Sequence, residues 1–404
     1  MNKPHIFLSR QRGLSLIELM ISLALSLAVM AGLASVYVAV KQTFRFQENT
    51  GRLQEDAVFA LDSMSRDLRM AGYAGCMGIE KGVAYLPGSV LSSSSPAAFN
   101  GLNPLAQIAT IQAETTYPEV NAQPFTAYNF IRGFDATVPT GMVATSNPTP
   151  SAASGSLFFA GGSMKSVSLS AAMASPSASP TYATDTYSWA TAAVNSGIYD
   201  FIISNCTASS LFKGKVTLAA GVPTIDHSTA MGNSSANFAS NTMFGTDAVV
   251  TPAEWHYYFV ATRTGANTPS LYHVYFNGNS RQAAEELVSN VESMKLHFGE
   301  NTGSMVNPAT GLTVIDPVTG LAVPSLVPDV WRTSAASVTD WSRVVAVRIG
   351  LMMVSAEDNI NPGVTMNTPT LLGATYSLPT GASANRQRKE FSTTVVLRNR
   401  IAAR

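Results

Sequence analysis

Residues 19–40 form a run of 22 positions without a charged side chain, and the residue just before that run is Glu18. At about 1.5 Å per residue, a helix over this run is about 33 Å long, enough to cross a hydrocarbon core of about 30 Å. Lys3, Arg10 and Arg12 precede it, so the positive-inside rule keeps the leader in the cytoplasm and sends the rest of the chain outward. A carboxylate at the edge of such a span is costly without a partner, which makes Glu18 a functional candidate. An ordinary secretory signal has a shorter apolar core followed by a small-residue cleavage site. Here the core is too long, and the small residues sit inside it. A plain membrane anchor fits the length but explains neither Glu18 nor the Arg12-Gly13 junction.

The segment Arg10-Gln11-Arg12-Gly13-Leu14-Ser15-Leu16-Ile17-Glu18 resembles the class III signal of type IV pilins and pseudopilins. It has a basic leader ending in Gly13, then an apolar stretch with Glu at its fifth position. The resemblance implies cleavage between Gly13 and Leu14 by a prepilin peptidase and methylation of the new amine. Many members of the family have Phe where this chain has Leu14, but a bulky apolar side chain is kept. It also implies a role for Glu18 in assembly: in a helical array the carboxylate of one subunit meets the terminal amine of its neighbour. An unpaired charge in low dielectric is so unfavourable that the subunit is at ease only at the correct axial offset.

Beyond residue 40 the pattern turns amphipathic. Leu53, Ala57, Leu61, Met64 and Leu68 recur at helical spacing, with Arg52, Glu55, Asp62, Arg66 and Asp67 on other faces. No proline interrupts residues 14–85. A single helix is therefore expected over residues 14–70, about 85 Å long, with Gly72 as its stop. The stripe spans about two heptads, too short for a coiled-coil stalk.

From residue 71 on, the signal is of short strands rich in β-branched and aromatic residues. Candidates are 198–203, 211–218, 257–262, 271–276, 294–298, 344–354 and 391–397. Residues 281–291 read as a short helix or turn. Residues 87–104 and 139–180 are rich in Pro, Ser and Thr and read as surface loops, part of a low-complexity insertion over about 87–195. The expected fold class is α+β. It comprises a cleaved leader 1–13, a helix 14–70 that spans the membrane at about 19–40, and a head 71–404 with an antiparallel sheet packed on the helix.

Only 12% of residues are charged, about half the usual share for a soluble domain. The 25 basic and 25 acidic side chains balance, which gives no footprint for nucleic acid. Loss of residues 1–13 would leave an excess of three acidic side chains. Cys76 and Cys206 are the only cysteines. In an exported chain they meet an oxidising compartment and are expected to pair, the alternative being two buried thiols. Closing so long a loop is worth about 4–5 kcal/mol in the chain-entropy picture. There is no phosphate-binding glycine loop, zinc-protease motif or nucleophile elbow. His227, His256, His273 and His297 show no ligand-like spacing and are expected as ordinary sheet or surface histidines. Adjacent Glu285 and Glu286 read as a solvated helix face. The oxygen-rich run from Ser355 to Asn361 lacks the ordered spacing of a calcium loop. Trp189, Trp255, Trp331 and Trp341 are expected as core or loop anchors. No enzyme activity, cofactor or metal is expected.

Asp67-Leu68-Arg69-Met70-Ala71-Gly72-Tyr73-Ala74-Gly75-Cys76 is similar to the PilW class of minor pilins. So are Glu286-Leu287-Val288 through Val291-Glu292-Ser293-Met294-Lys295-Leu296, Val344-Val345-Ala346-Val347-Arg348-Ile349-Gly350-Leu351 and Phe391-Ser392-Thr393-Thr394-Val395-Val396-Leu397-Arg398-Asn399-Arg400. The likeness implies a minor pilin that waits in the bacterial inner membrane with its head in the periplasm. It would then prime a type IV pilus from a complex at or near the tip. The implied partners are other minor pilins, the major pilin, the prepilin peptidase, the inner-membrane assembly machinery and a tip adhesin. A pseudopilin of type II secretion shares the signal, and a membrane-anchored exported enzyme or binding protein is the rival from another class.

Overall fold

With no proline to break it, the amino-terminal region runs as one helix, α1 (Leu16–Leu68). A computed structural model describes residues 15–73, 75, 131–135, 148–263, 265–303, 327–358, 369–379 and 383–400, apart from isolated positions and short stretches inside these ranges. Ser15 caps the helix in an extended conformation, and its Oγ accepts from the Glu18 N–H. The helix ends within two residues of the expected point. Gly72 follows with φ +74°, a left-handed value that glycine adopts freely, and its N–H donates to the Ala160 carbonyl at 2.8 Å.

Fifteen strands follow among the described residues. They are β1 (Ile131–Phe134), β2 (Ser156–Gly162), β3 (Val167–Ser168), β4 (Ile198–Ser204), β5 (Ser209–Ala219), β6 (Val222–Asp226), β7 (Val249–Ala261) and β8 (Ser270–Phe276). Then come β9 (Glu285–Ser289), β10 (Val291–Glu300), β11 (Val330–Arg332), β12 (Val344–Val354), β13 (Thr370–Leu371), β14 (Ala374–Thr375) and β15 (Arg388–Val396). One sheet is built on β7. Over residues 253–261 that strand pairs with β2 and β8, and over residues 249–252 with β3 and β4. β1 extends the first group beyond β2 and β9 beyond β8, while β5 and β6 extend the second beyond β4. A second sheet has the order β11-β10-β12-β15, and β13 and β14 make a small hairpin. All named pairs are antiparallel.

The α1 stripe is buried as expected at Leu53, Ala57, Met64 and Leu68; Ala60 joins it and Leu61 is half-covered. It packs into one core with Leu157, Phe159, Tyr258 and Val260 of the first sheet and with Met294, Phe298, Val347, Ile349, Leu351 and Val395 of the second. A separate core holds Tyr182, Trp189, Phe201, Phe212, Phe238 and Phe244, and belongs to the lobe built on β3 to β6.

The helix and most strand expectations hold, but two stretches differ. The segment read as a low-complexity insertion contributes β1, β2 and β3. β2 reads Ser-Leu-Phe-Phe-Ala-Gly-Gly and is buried at every position. Covered on both faces, it lacks the alternation that marks a half-exposed strand, and the Ser/Pro-rich flanks hid it. Residues 285–289 are an edge strand, not a helix or turn, with the Glu286 carboxylate accepting from Ser270 Oγ at 2.8 Å. Asp67, off the apolar stripe as expected, faces β7, as described below. Residues 87–104 lie outside the described residues.

The end of α1 passes directly over β2. A β-carbon on Gly161 would lie 2.4 Å from the Met70 carbonyl oxygen. Gly161→Ala should therefore lower stability by about 1–3 kcal/mol, read by denaturant unfolding of the detergent-solubilised chain. Gly51→Ala, where nothing lies within 4 Å, should instead stabilise α1 by up to about 1 kcal/mol.

Candidate functional site

Two places on α1 carry functional chemistry. The first is its amino-terminal half. Leu16, Ile17, Leu23, Leu25, Leu33 and Val40 are all exposed, and none of the described residues covers the most apolar window of the helix. The serines here satisfy themselves: Ser22, Ser26 and Ser35 hydroxyls donate to the carbonyls of Leu19, Leu23 and Gly32 at 2.8–2.9 Å. Glu18 is the exception. It sits in the first turn, exposed, and its carboxylate has no partner among the described residues. The uncapped amides at a helix start favour an anion there, but only by a fraction of a kcal/mol to about 1 kcal/mol. Gly13 and Leu14 lie outside the described residues.

The second place is the junction of α1 with the head. β7 presents Glu254, His256 and Tyr258 on one face by strand alternation, and β8 brings His273 alongside. Tyr258 OH donates to Asp67 Oδ2 at 2.5 Å. His256 Nδ1 is 3.6 Å from the same oxygen and 3.0 Å from His273 Nε2. Burial lowers His256 to about 4; burial, then the neighbouring His256, lowers His273 to about 4. Both rings are thus neutral at neutral pH, and the contact with Asp67 is not an ion pair. Burial and then the Asp67 charge push the Tyr258 hydroxyl up, which keeps it a donor. A cavity of about 230 Å3 opens beside the cluster, lined by Asp67, Met70, Phe159, Lys165, Glu254 and His256. Burial raises Glu254, opposed by Ser163 and Lys165.

This grouping escaped the sequence because its members are separated by 189 and 17 positions, counted from Asp67 to His256 and from His256 to His273. Only the register of two adjacent strands with the helix end unites them. Of the other expected sites, Cys206 lies between β4 and β5, while Cys76 lies outside the described residues. Among the described residues no cysteine is free. In the oxygen-rich run, the carbonyls of Ser355 and Ala356 both accept from Arg386 Nη1 at 2.7 Å, and Asp358 accepts from Ser383. A guanidinium thus occupies two backbone oxygens in the described part of this run. Trp189, Trp255 and Trp341 are buried as core anchors, and Arg348 covers the Trp331 ring at 4.4 Å.

Residues 257–399 match the family model described as type IV pilus-assembly protein W, and residues 8–34 match the prokaryotic N-terminal methylation motif. The two matches support a type IV pilus minor pilin of the PilW class. No curated protein and no solved structure matches the chain. Its apolar amino-terminal helix and class III signal fit membrane anchoring and association with the pilus.

The family-matched part runs from the end of β7 through β8, β9, the second sheet and the small hairpin, and the second sheet is locked by charge. Arg388 Nε and Nη2 donate to both oxygens of Glu292 at 2.6 and 2.8 Å, and both side chains are 4% exposed. Tyr376 OH adds a third bond to Glu292. A bidentate pair of this kind has full hydrogen bonding to offset its desolvation. Arg388→Met would strand a buried carboxylate and should lower stability by about 3–5 kcal/mol in urea unfolding, whereas Glu292→Leu with Arg388→Met should recover part of the loss.

Proposed function

We propose that this minor pilin is cut between Gly13 and Leu14 by a prepilin peptidase and methylated on Leu14. In this reading it waits in the inner membrane on residues 19–40 with its head in the periplasm. It then joins other minor pilins to prime the filament at or near its tip. The observation that carries the reading is the pairing of an apolar half-helix that no described residue covers with a Glu18 at its start that has no partner among the described residues. That face is built to be covered by lipid and then by other pilin helices. Glu18 sets the register by meeting the terminal amine of the neighbouring subunit, because a charge at that depth is tolerated only when paired.

The large head supports a tip position, since so bulky a subunit fits poorly along a close-packed shaft. It also offers surface for an adhesin. The part played is structural: the subunit docks on other pilins and on the inner-membrane assembly machinery, and catalyses nothing. The domain plan in this reading is a leader 1–13, a helix 14–70 and a head 71–404.

Glu18→Val should leave the protein in the membrane but strongly reduce its incorporation into sheared pili, read by immunoblot; normal incorporation would defeat the docking role. Intact-mass measurement should find the mature chain starting at Leu14 with one added methyl group. A chain still beginning at Met1 would sink the processing step.

Within the head, Cys76 is the proposed partner of Cys206. The support is close: Gly75 packs so tightly on Ser204, two residues before Cys206, that a β-carbon there would lie 1.7 Å from Ser204 Oγ. The oxidised chain should migrate faster on a gel than the reduced one, and Cys206→Ser should abolish the difference. Equal mobility in the wild type would argue for separate thiols.

A further inference from the structure

We propose that Asp67, His256 and His273 form a binding site for a divalent transition-metal ion of the zinc class, clamping the end of α1 to β7 and β8. Three ligand atoms from three separate elements lie within 4.8 Å of one another. The spacing suits a common ion. Two ligand atoms each about 2.1 Å from a metal at a right angle are about 3.0 Å apart, the separation of His256 Nδ1 and His273 Nε2. At an angle of about 120° they are about 3.6 Å apart, the separation of His256 Nδ1 and Asp67 Oδ2.

In the metal-free arrangement the two coplanar imidazoles face each other across one N–H···N bond. Loading requires the rings to turn so that both lone pairs aim at one point. It also requires one imidazole to carry its proton on the outer nitrogen. No proton leaves a neutral ring.

The donor set selects the class of ion. Two imidazoles and one carboxylate suit borderline cations such as Zn2+, whereas Ca2+ and Mg2+ prefer oxygen-only shells. Both histidines are held uncharged, as ligands must be. The site is also reachable: the Asp67 and His256 side chains are 27% and 18% exposed. Asp67 and His256 also line the neighbouring cavity, from which water can complete the shell. Tyr258 is a positioning residue: its hydroxyl holds the Asp67 carboxylate that would contact the ion. The site stands apart from pilus entry, since it uses none of the apolar half of α1.

The test uses the full-length, detergent-solubilised chain stripped with chelator. Isothermal titration with ZnCl2 should show one equivalent bound, and thermal unfolding should shift upward with zinc and not with CaCl2. Co2+ should give the visible absorption of a nitrogen-ligated ion. His273→Gln and His256→Gln should each remove stoichiometric binding while circular dichroism stays native. Tyr258→Phe should weaken zinc about 10- to 100-fold without changing the stoichiometry. Absence of saturable zinc binding in the wild type would overturn the proposal. So would binding unchanged in the folded His256→Gln/His273→Gln double variant, or a calcium response that the double variant retains.

Discussion

The burial of one stripe of α1, from Leu53 to Leu68, joins the parts of this molecule. Leu53, Met64 and Leu68 are fully covered, each worth about 1.5–3 kcal/mol of apolar burial. Ala57 and Ala60 between them let the sheets approach the helix closely. The stripe belongs to a core shared by both sheets. Specific polar bonds then fix where along its axis the helix sits. Gln387 reaches Thr50, Tyr258 reaches Asp67, and Asn399 reaches the Arg69 carbonyl. Apolar burial holds the helix to the head, and these three bonds pin its register.

The helix could be read from the chain almost to the residue, because both of its signals are local: an uncharged run and a 3.6-residue repeat. Strands with β-branched or aromatic runs, such as Val344–Val354, were legible for the same reason. β2 was not, since a central strand covered on both faces has no alternation to show. β9 begins with two glutamates that favour a helical reading, and only pairing with β8 makes it a strand. At the site, Glu18 was legible because a lone carboxylate beside an apolar run is anomalous wherever it occurs. The Asp67–His256–His273 cluster was invisible. Nothing about a histidine in a strand announces which neighbour the register will give it.

The two family matches leave residues 35–256 between them. The chain fills most of the described part of that gap with a lobe that has its own aromatic core around Trp189, Phe201 and Phe212. The lobe is not hung on a flexible tether. It is grown from the first residues of β7, the strand whose later residues line the core under α1. A single continuous strand thus serves both the family-matched sheet and the part outside the matches, so the lobe's orientation follows that of the helix.

The hydroxyls of Ser22, Ser26 and Ser35 each bond to their own helix. They therefore demand nothing from whatever surrounds them. A subunit leaving acyl chains for a protein environment gives up no hydrogen bond along this length and gains none. For these groups the exchange of surroundings is close to isoenergetic.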